Sequence, residues 1–374
     1  MATASPRDLA TDIAPTHRIR GIHHLTAVCA DAQRTVDFYT QTLGLRLVKQ
    51  TVNFDDPGAY HLYFGNDQAA PSSLLTFFEW PDAGPGRTGI GATHHIAFAT
   101  ADRDALLRWK RWLTGRGLAV TGPYDRVYFQ SIYFQDPDGL IIEIATRGPG
   151  WTVDEVPDAL GTELKPPPFE TTVGGRDEAA IAAETWPEPV ATPDATMRLN
   201  AIHHITAIAS DAERTLAFYT ETLGMRFVKR TLNFDNPDSP HLYVGVGDGA
   251  PGTIVTWFGY RPGQMRRGVV GHGMTHHVAF HVADEDALRA WQGHLAAAGV
   301  PATEIRDRQY FKSVYFQDPD GHILELATAG PGFATDEAPE ALGRALRLPP
   351  WLAGQNDEIA AGLTPLQVPE PAGR

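Results

Sequence analysis

The sequence predicts an α+β fold of four tandem β-α-β-β-β modules, and three observations carry that prediction. The first is a long repeat: Gly21-Ile22-His23-His24-Leu25-Thr26-Ala27 returns as Ala201-Ile202-His203-His204-Ile205-Thr206-Ala207, at an offset of 180. Val52-Asn53-Phe54-Asp55-Asp56-Pro57 returns as Leu232 to Pro237, and Thr93-His94-His95 returns as Thr275-His276-His277 at an offset of 182. Phe134 to Gly139 returns unchanged at Phe316 to Gly321, and Gly148-Pro149-Gly150 and Asp154-Glu155 match Gly330-Pro331-Gly332 and Asp336-Glu337. The repeat spans about three quarters of the chain, and so long a period means a duplicated domain rather than a solenoid. The second observation is a weaker repeat inside each half. The third is the order of patterns in each unit, one helical run followed by several strand-like ones.

In the first unit, residues 21–30 read as a strand. A helix should follow, with Asp31 as its N-cap, Val36, Tyr39 and Leu43 on one stripe, and Gly44 as its stop. Strands are expected over 45–54, 60–65 and 73–80. The second unit repeats the order, with a strand over 94–100 and a helix over 104–113 whose stripe holds Ala105, Trp109, Trp112 and Leu113. Strands follow at 119–121, 129–135 and 140–146. Boundaries are expected as a tail (1–19), a first half holding modules one and two (20–161), and a connection (162–198). A second half holding modules three and four (199–345) and a C-terminal tail (346–374) complete the chain. The connection, rich in Pro, Glu, Ala and Thr from 165 to 194, should hold a short helix near Asp177 to Glu184. The C-terminal tail should run along the surface.

Composition narrows the function classes. With 374 residues and 43% hydrophobic content, each half can bury its own core. A net charge of −14 disfavours nucleic acid and anionic membranes as partners. The single cysteine, Cys29, excludes an internal disulfide and a thiolate metal cluster; it reads as a small packed residue. Met1 to Arg20 is polar, with Asp8 and Asp12 and no apolar core of a signal peptide, and no run approaches the ~20 apolar residues of a membrane span. A cytoplasmic location is expected. The Asp-Pro-Asp-Gly runs read as turns rather than calcium loops.

The fifteen histidines are not scattered. Every module begins with a pair: His23/His24, His94/His95, His203/His204 and His276/His277. Adjacent residues on a strand point to opposite faces, so one ring of each pair should face a concave surface. Modules two and four also place a carboxylate on the last strand, Glu143 and Glu325, between branched apolar neighbours. A glutamate buried there is costly unless paired or metal-bound. The matching strands of modules one and three carry Thr76 and Thr256 instead. Each complete site therefore has two histidines and one carboxylate, the facial triad of non-haem Fe(II) oxygenases, with open positions for O2 and a substrate oxygen. A fourth protein ligand would suit Lewis-acid isomerisation or hydrolysis. His61 and His241 read equally as cavity-facing or structural, and His272, His281 and His322 occur only in the second half and stay out of the ligand set.

Tandem modules with His on the first strand and Glu on the last resemble the vicinal oxygen chelate superfamily, which implies two domains with half-open mixed β-barrels. "HHLT" and "HHIT", "HLYFG", "THHVAF", "R-x-YF-x-S-x-YF-x-DPDG" and "GPGF-x-x-DE" look like its hydroquinone-type, ring-cleaving (extradiol-type) dioxygenases. The resemblance implies Fe(II), with Mn(II) or Zn(II) as substitutes in isolated protein, held by His24, His277 and Glu325. It places His23, Thr26, His276, Arg308 and Tyr315 around the metal as second-layer or substrate-facing groups. A small aromatic substrate and O2 would be the partners, and a homo-oligomer is open. By symmetry His95, Glu143 and His204, with His94, His203, Thr206, Arg126 and Tyr133 around them, form a possible second site. Pairing within each half (His24 with His95 and Glu143; His204 with His277 and Glu325) also stays open. The competing functions are a glyoxalase-like, metal-dependent isomerase or thiol transferase, and a metal-free binding or resistance protein for a small aromatic ligand.

Overall fold

The computed structural model of the chain describes residues 13–261 and 263–373. Asp8 and Asp12, on which the leader expectation rests, lie outside them. Module one consists of β1 (Gly21–Cys29), α1 (Ala32–Asp37), β2 (Arg46–Asn53), β3 (Asp56–Gly65) and β4 (Leu74–Glu79). Module two has β5 (Thr93–Thr100), α2 (Arg103–Gly115), β6 (Thr121–Asp125), β7 (Gln130–Gln135) and β8 (Ile141–Thr146). The connection holds α3 (Glu178–Ala183). Module three has β9 (Ile202–Ala209), α4 (Ala212–Ala217), β10 (Arg226–Asn233), β11 (Asn236–Gly245) and β12 (Ile254–Gly259). Module four has β13 (Thr275–Val282), α5 (Glu285–Ala297), β14 (Arg306–Asp307), β15 (Lys312–Gln317) and β16 (Ile323–Thr328), and α6 (Asn356–Gly362) lies in the tail.

Local chemistry accounts for the helices. Asp31, Asp102, Asp177, Asp211 and Asp284 each cap a helix by accepting a backbone N–H with the side chain. After α1 the chain makes one wider, π-type turn over Phe38–Thr42 and stops at Gly44, whose φ of 68° an L side chain resists. The strand expected at 119–121 begins only at Thr121. Its module-four counterpart is two residues long.

The sheets do not follow the halves of the sequence. One has the order β14-β15-β16-β13-β1-β4-β3-β2 and the other β10-β11-β12-β9-β5-β8-β7-β6. Module four thus joins module one, and module two joins module three, through the antiparallel pairs β1–β13 and β5–β9. Each sheet is a mixed half-barrel. The segments linking the two modules of each half run past one another, with bridges Pro85–His272, Arg87–Val269 and Ile90–Arg267, and carry the chain from one sheet to the other. Within each half the two modules still touch: Trp112 Nε1 of α2 donates to Thr42 O at 2.8 Å, and His294 Nε2 of α5 lies 2.8 Å from Thr222 O.

The repeated Asp-Glu tails lock this exchange. Lys49 on β2 is fully buried, with Asp336 Oδ1 at 2.6 Å and Glu337 closer still. Lys229 on β10 meets Asp154 and Glu155 in the same way. Each tail therefore grips the module with which its predecessor shares a sheet. The expected surface course of the C-terminal tail is seen where Arg347 N donates to Gln50 O at 2.9 Å and Ala372 N to Thr40 O at 2.9 Å. Within the Asp-Pro-Asp-Gly turns, Asp136 Oδ1 accepts from Asp138 N and Leu140 N, and Asp318 repeats the pattern. The core runs through both sheets; Trp109 of α2 is fully buried in it, and truncating such a side chain to alanine costs about 3–5 kcal/mol. No helix among the described residues is long and apolar enough to cross a membrane.

Candidate metal centres

Pairing β1 with β13 sets Thr26 opposite His277, and the parallel neighbour β16 sets Glu325 beside Ala279. Three buried atoms meet there. His24 Nε2 lies 3.3 Å from His277 Nε2 and 3.4 Å from Glu325 Oε2, and His277 Nε2 lies 3.0 Å from Glu325 Oε2. The other sheet repeats the triangle: His95 Nε2 to His204 Nε2 3.3 Å, His95 Nε2 to Glu143 Oε2 2.9 Å, His204 Nε2 to Glu143 Oε2 3.2 Å. Donors about 2.1 Å from one ion stand about 3.0 Å apart at right angles and about 3.4 Å apart at tetrahedral angles, so both triangles suit a single first-row metal. The candidate ligands come together across the halves of the sequence, and among the described residues the within-half pairing does not form.

The donors themselves favour an ion. Glu325 Oε2 and both oxygens of Glu143 are buried and have no partner among the described residues other than the facing histidines, while Ser313 donates to Glu325 Oε1. Burial pushes each carboxyl upward, yet the neighbouring histidines (His24 and His277; His204 and His95) hold it well below the ordinary range. Two imidazoles around a buried carboxylate are a donor set that suits a dication.

Adjacent histidines do not separate to opposite faces as strand alternation predicts. In all four modules the first histidine is the extra residue of a β-bulge. Ile22 faces Phe280 and His24 faces Ala279, leaving His23 without an opposite number, and His94, His203 and His276 sit at the corresponding slips. A bulge re-aims a side chain. Each outer ring therefore turns back onto its neighbour, Nδ1 to Nδ1, at 2.9 Å for His23–His24, 2.8 Å for His276–His277, 2.8 Å for His94–His95 and 2.9 Å for His203–His204. With Nε2 of the inner ring given to a metal, its Nδ1–H donates to the outer ring, and the outer ring must carry its proton on Nε2. His23 meets that demand, since its Nε2 lies 3.1 Å from Thr328 O.

The cavity over the first triangle encloses about 360 Å³ and the one over the second about 310 Å³. Of the groups expected around the first metal, His276, Arg308 and Tyr315 line the cavity, and Thr26 stands beside it at 2.9 Å from His277 Nε2. His23 does not face this cavity; it lies behind His24, against Phe311, and opens on a separate recess. Arg308 Nε donates to Tyr315 Oη at 3.2 Å, and both its terminal nitrogens lie 3.1 Å from Asp55 Oδ2. Burial, then the charge of Glu325, pushes the Tyr315 phenol upward against the pull of Arg308. Burial beside His277 drops His276 to about 3, so its ring is neutral at ordinary pH.

Thr76 occupies the fourth place, as the repeat predicts: it pairs with Thr26 on β1 just as Glu325 is placed on β16. Its Oγ1 lies 2.7 Å from Thr26 Oγ1 and 2.9 Å from His61 Nε2, and His61 Nδ1 lies 3.0 Å from Tyr63 Oη. His61 is thus cavity-facing, and His241 repeats the chain to Thr256 and Thr206. His322 bonds Thr93, and His272 bonds Trp80 O, both away from the triangles. Sequence reasoning missed Asp55, Phe78, Trp80 and Phe311 as cavity walls. The recurrence of Asn53-Phe54-Asp55 at Asn233-Phe234-Asp235 was the available signal for Asp55.

Residues 21–144 and 201–326 match the Glyoxalase/Bleomycin resistance protein/Dioxygenase superfamily. The chain is 32% identical over 353 residues to the Bacillus subtilis protein MhqO, provisionally named a ring-cleaving dioxygenase, covering 94% of this chain and 97% of that one. It is 29% identical over 350 residues to a chlorohydroquinone/hydroquinone 1,2-dioxygenase of Sphingobium indicum, covering 91% and 95%. The crystal structure of a Bacillus subtilis protein, provisionally described as a dioxygenase, aligns with a TM-score of 0.75 at 31% identity, covering 94% of this chain and 99% of that one.

Proposed function

This chain belongs to the Glyoxalase/Bleomycin resistance protein/Dioxygenase superfamily, and on that premise we propose that it is an Fe(II)-dependent ring-cleaving dioxygenase. Its substrate is a hydroquinone or related dihydroxylated ring, opened beside a hydroxylated carbon with both atoms of O2 incorporated. The observation that carries this reading is Thr76 in the fourth place beside His24, His277 and Glu325. A hydroxyl bonded to Thr26 and His61 is a poor substitute for a second carboxylate as fourth ligand, so the cavity side of the ion stays open. A glyoxalase-like isomerase with a closed ligand set is less well served by that arrangement.

Bound Fe(II) supplies the electron transfer between the ring and O2 that an organic side chain cannot. The chain does the rest. Phe78, Trp80 and Phe311 make flat apolar walls for a single ring and exclude water from it. His276 keeps its proton on Nε2, because Nδ1 accepts from His277, and so offers an N–H donor to a ring oxygen. Arg308, held by Asp55, steadies negative charge on the opposite ring oxygen and keeps the Tyr315 hydroxyl aimed into the cavity. Thr26, Thr76, His61 and Tyr63 form a continuous hydrogen-bonded path along which a substrate proton leaves.

Purification without oxygen, followed by an iron count and oxygen-electrode traces with hydroquinone and catechol, tests the proposal. Bound iron and uptake with a dihydroxybenzene are expected. Absence of iron, or iron without uptake on either ring, defeats it.

A further inference from the structure

We propose that His95, Glu143 and His204 form a second metal-binding centre in its own right, and that the two cavities select rings of different charge. The first takes a dihydroxylated ring bearing an anionic substituent such as a carboxylate; the second takes an uncharged ring. The ring selectivity rests on the function proposed above, while the second centre stands on geometry alone.

Every part the first centre needs is present in the second. The triangle has sides of 2.9–3.3 Å, with both Glu143 oxygens buried and, among the described residues, no partner other than the facing histidines. His94 and His203 turn on their bulges to reach His95 and His204. Arg126 lies 3.4 Å from Tyr133 Oη, and the path from Tyr243 through His241 and Thr256 to Thr206 is intact. A lone relic ligand would explain none of this. A buried carboxylate that is neither bonded nor metal-bound is expensive, and replacement by an apolar residue is the cheap escape.

The walls have diverged where the charge matters. Arg306 lines the first cavity, and Tyr124 occupies the corresponding place in the second. In the first, Arg306 and Arg308 share one carboxylate, Asp55, at 3.5 and 3.1 Å, which leaves one positive charge over at the mouth. In the second, Arg126 is matched by Asp235 at 2.9 Å. Arg176 of the connection also binds Asp235, is itself met by Glu178 at 2.6 Å, and stacks on Tyr124 with its guanidinium 4.2 Å from the ring centre. The second mouth is therefore neutral and roofed by an aromatic ring. An excess guanidinium offers a forked partner for a carboxylate, and a neutral aromatic rim does not.

The test uses the full chain without oxygen, titrated with Fe(II) alone and then with 2,5-dihydroxybenzoate or methylhydroquinone in a calorimeter, where no turnover occurs. The native chain should bind two Fe(II), and Glu143→Gln and Glu325→Gln one each. The iron-loaded Glu143→Gln protein should bind 2,5-dihydroxybenzoate about fivefold more tightly than Glu325→Gln, the scale of one partly exposed charge pair, with no such preference for methylhydroquinone. Arg306→Tyr should erase the preference, and Tyr124→Arg should confer it on the second cavity. One iron in the native chain, a count that needs no variant to fold, overturns the second centre. Equal affinities in the two single-site proteins overturn the charge selectivity. Iron bound without oxygen uptake would defeat the proposed reaction instead, leaving the iron count and the anaerobic affinities to decide this inference.

Discussion

His24 Nδ1 lies 2.9 Å from His23 Nδ1, and this contact exists because His23 is the extra residue of a bulge in β1. His23 in turn rests on Thr328 O at 3.1 Å, so a hydrogen-bonded line runs from the ligand ring to the backbone of β16. The line fixes both the tautomer and the orientation of His24. Replacing His23 by alanine should weaken metal binding at the first centre by about 10- to 100-fold. Competition against a chelator measures this, and the second centre should be unaffected.

Thr76→Glu should convert an open site into a closed one. A second carboxylate in the fourth place would tighten metal binding while taking a position that O2 or the ring oxygen needs. Oxygen uptake should fall by at least about 100-fold while the iron count stays the same, in line with the loss of an essential coordination position. Retained uptake would show that the fourth place does not decide the chemistry.

Lys49 is buried against Asp336 and Glu337, and a partner left alone there is an unpaired buried charge. Lys49→Met should destabilise the chain by about 3–5 kcal/mol in denaturant unfolding. Adding Glu337→Gln should recover much of that loss, because the remaining group no longer carries charge.

The Asp136 carboxyl, pushed up to about 6 by burial against an ordinary 3.8, gives a pH signature of known sign. Between these values the native chain holds a proton that the unfolded chain has released, so stability falls with rising pH. This group's contribution is full below its unfolded pKa and is lost as pH passes through about 6. Asp136→Asn keeps the acceptor for Asp138 N and Leu140 N and can donate to Tyr39 Oη, so the variant should lack that decline. Unfolding of both proteins at about pH 4 and pH 7 should show the native chain losing stability relative to the variant as pH rises.

Much of the site was legible because duplication printed it twice. The capping Asp31, the Gly44 stop and the 3.6-residue stripe of Trp109 and Leu113 located the first two helices, and the repeat located Glu143, Glu325, Thr76 and Thr256; Asp102, which caps α2, was not picked out. Two further things escaped. The bulges at His23, His94, His203 and His276 did, since a slip of one residue is a property of two paired strands rather than of either one. So did the cavity walls Asp55 and Trp80, which lie far in sequence from the metal ligands and reach them only through β3 and β4.

The sequence by itself determined the module, its number and the donor types, since these follow from local propensity and from residues a buried strand tolerates only for a reason. Which donors come together was a tertiary decision. His24 meets His277 and Glu325, and not His95 and Glu143, because β1 pairs with β13 while the crossing segments at 80–92 and 263–274 carry the chain between sheets. Lys49 with Asp336 and Glu337, and Lys229 with Asp154 and Glu155, then hold that exchange in place. Strand pairing over more than 250 residues depends on how two faces fit once brought together, and no local pattern encodes the choice between two nearly identical partners.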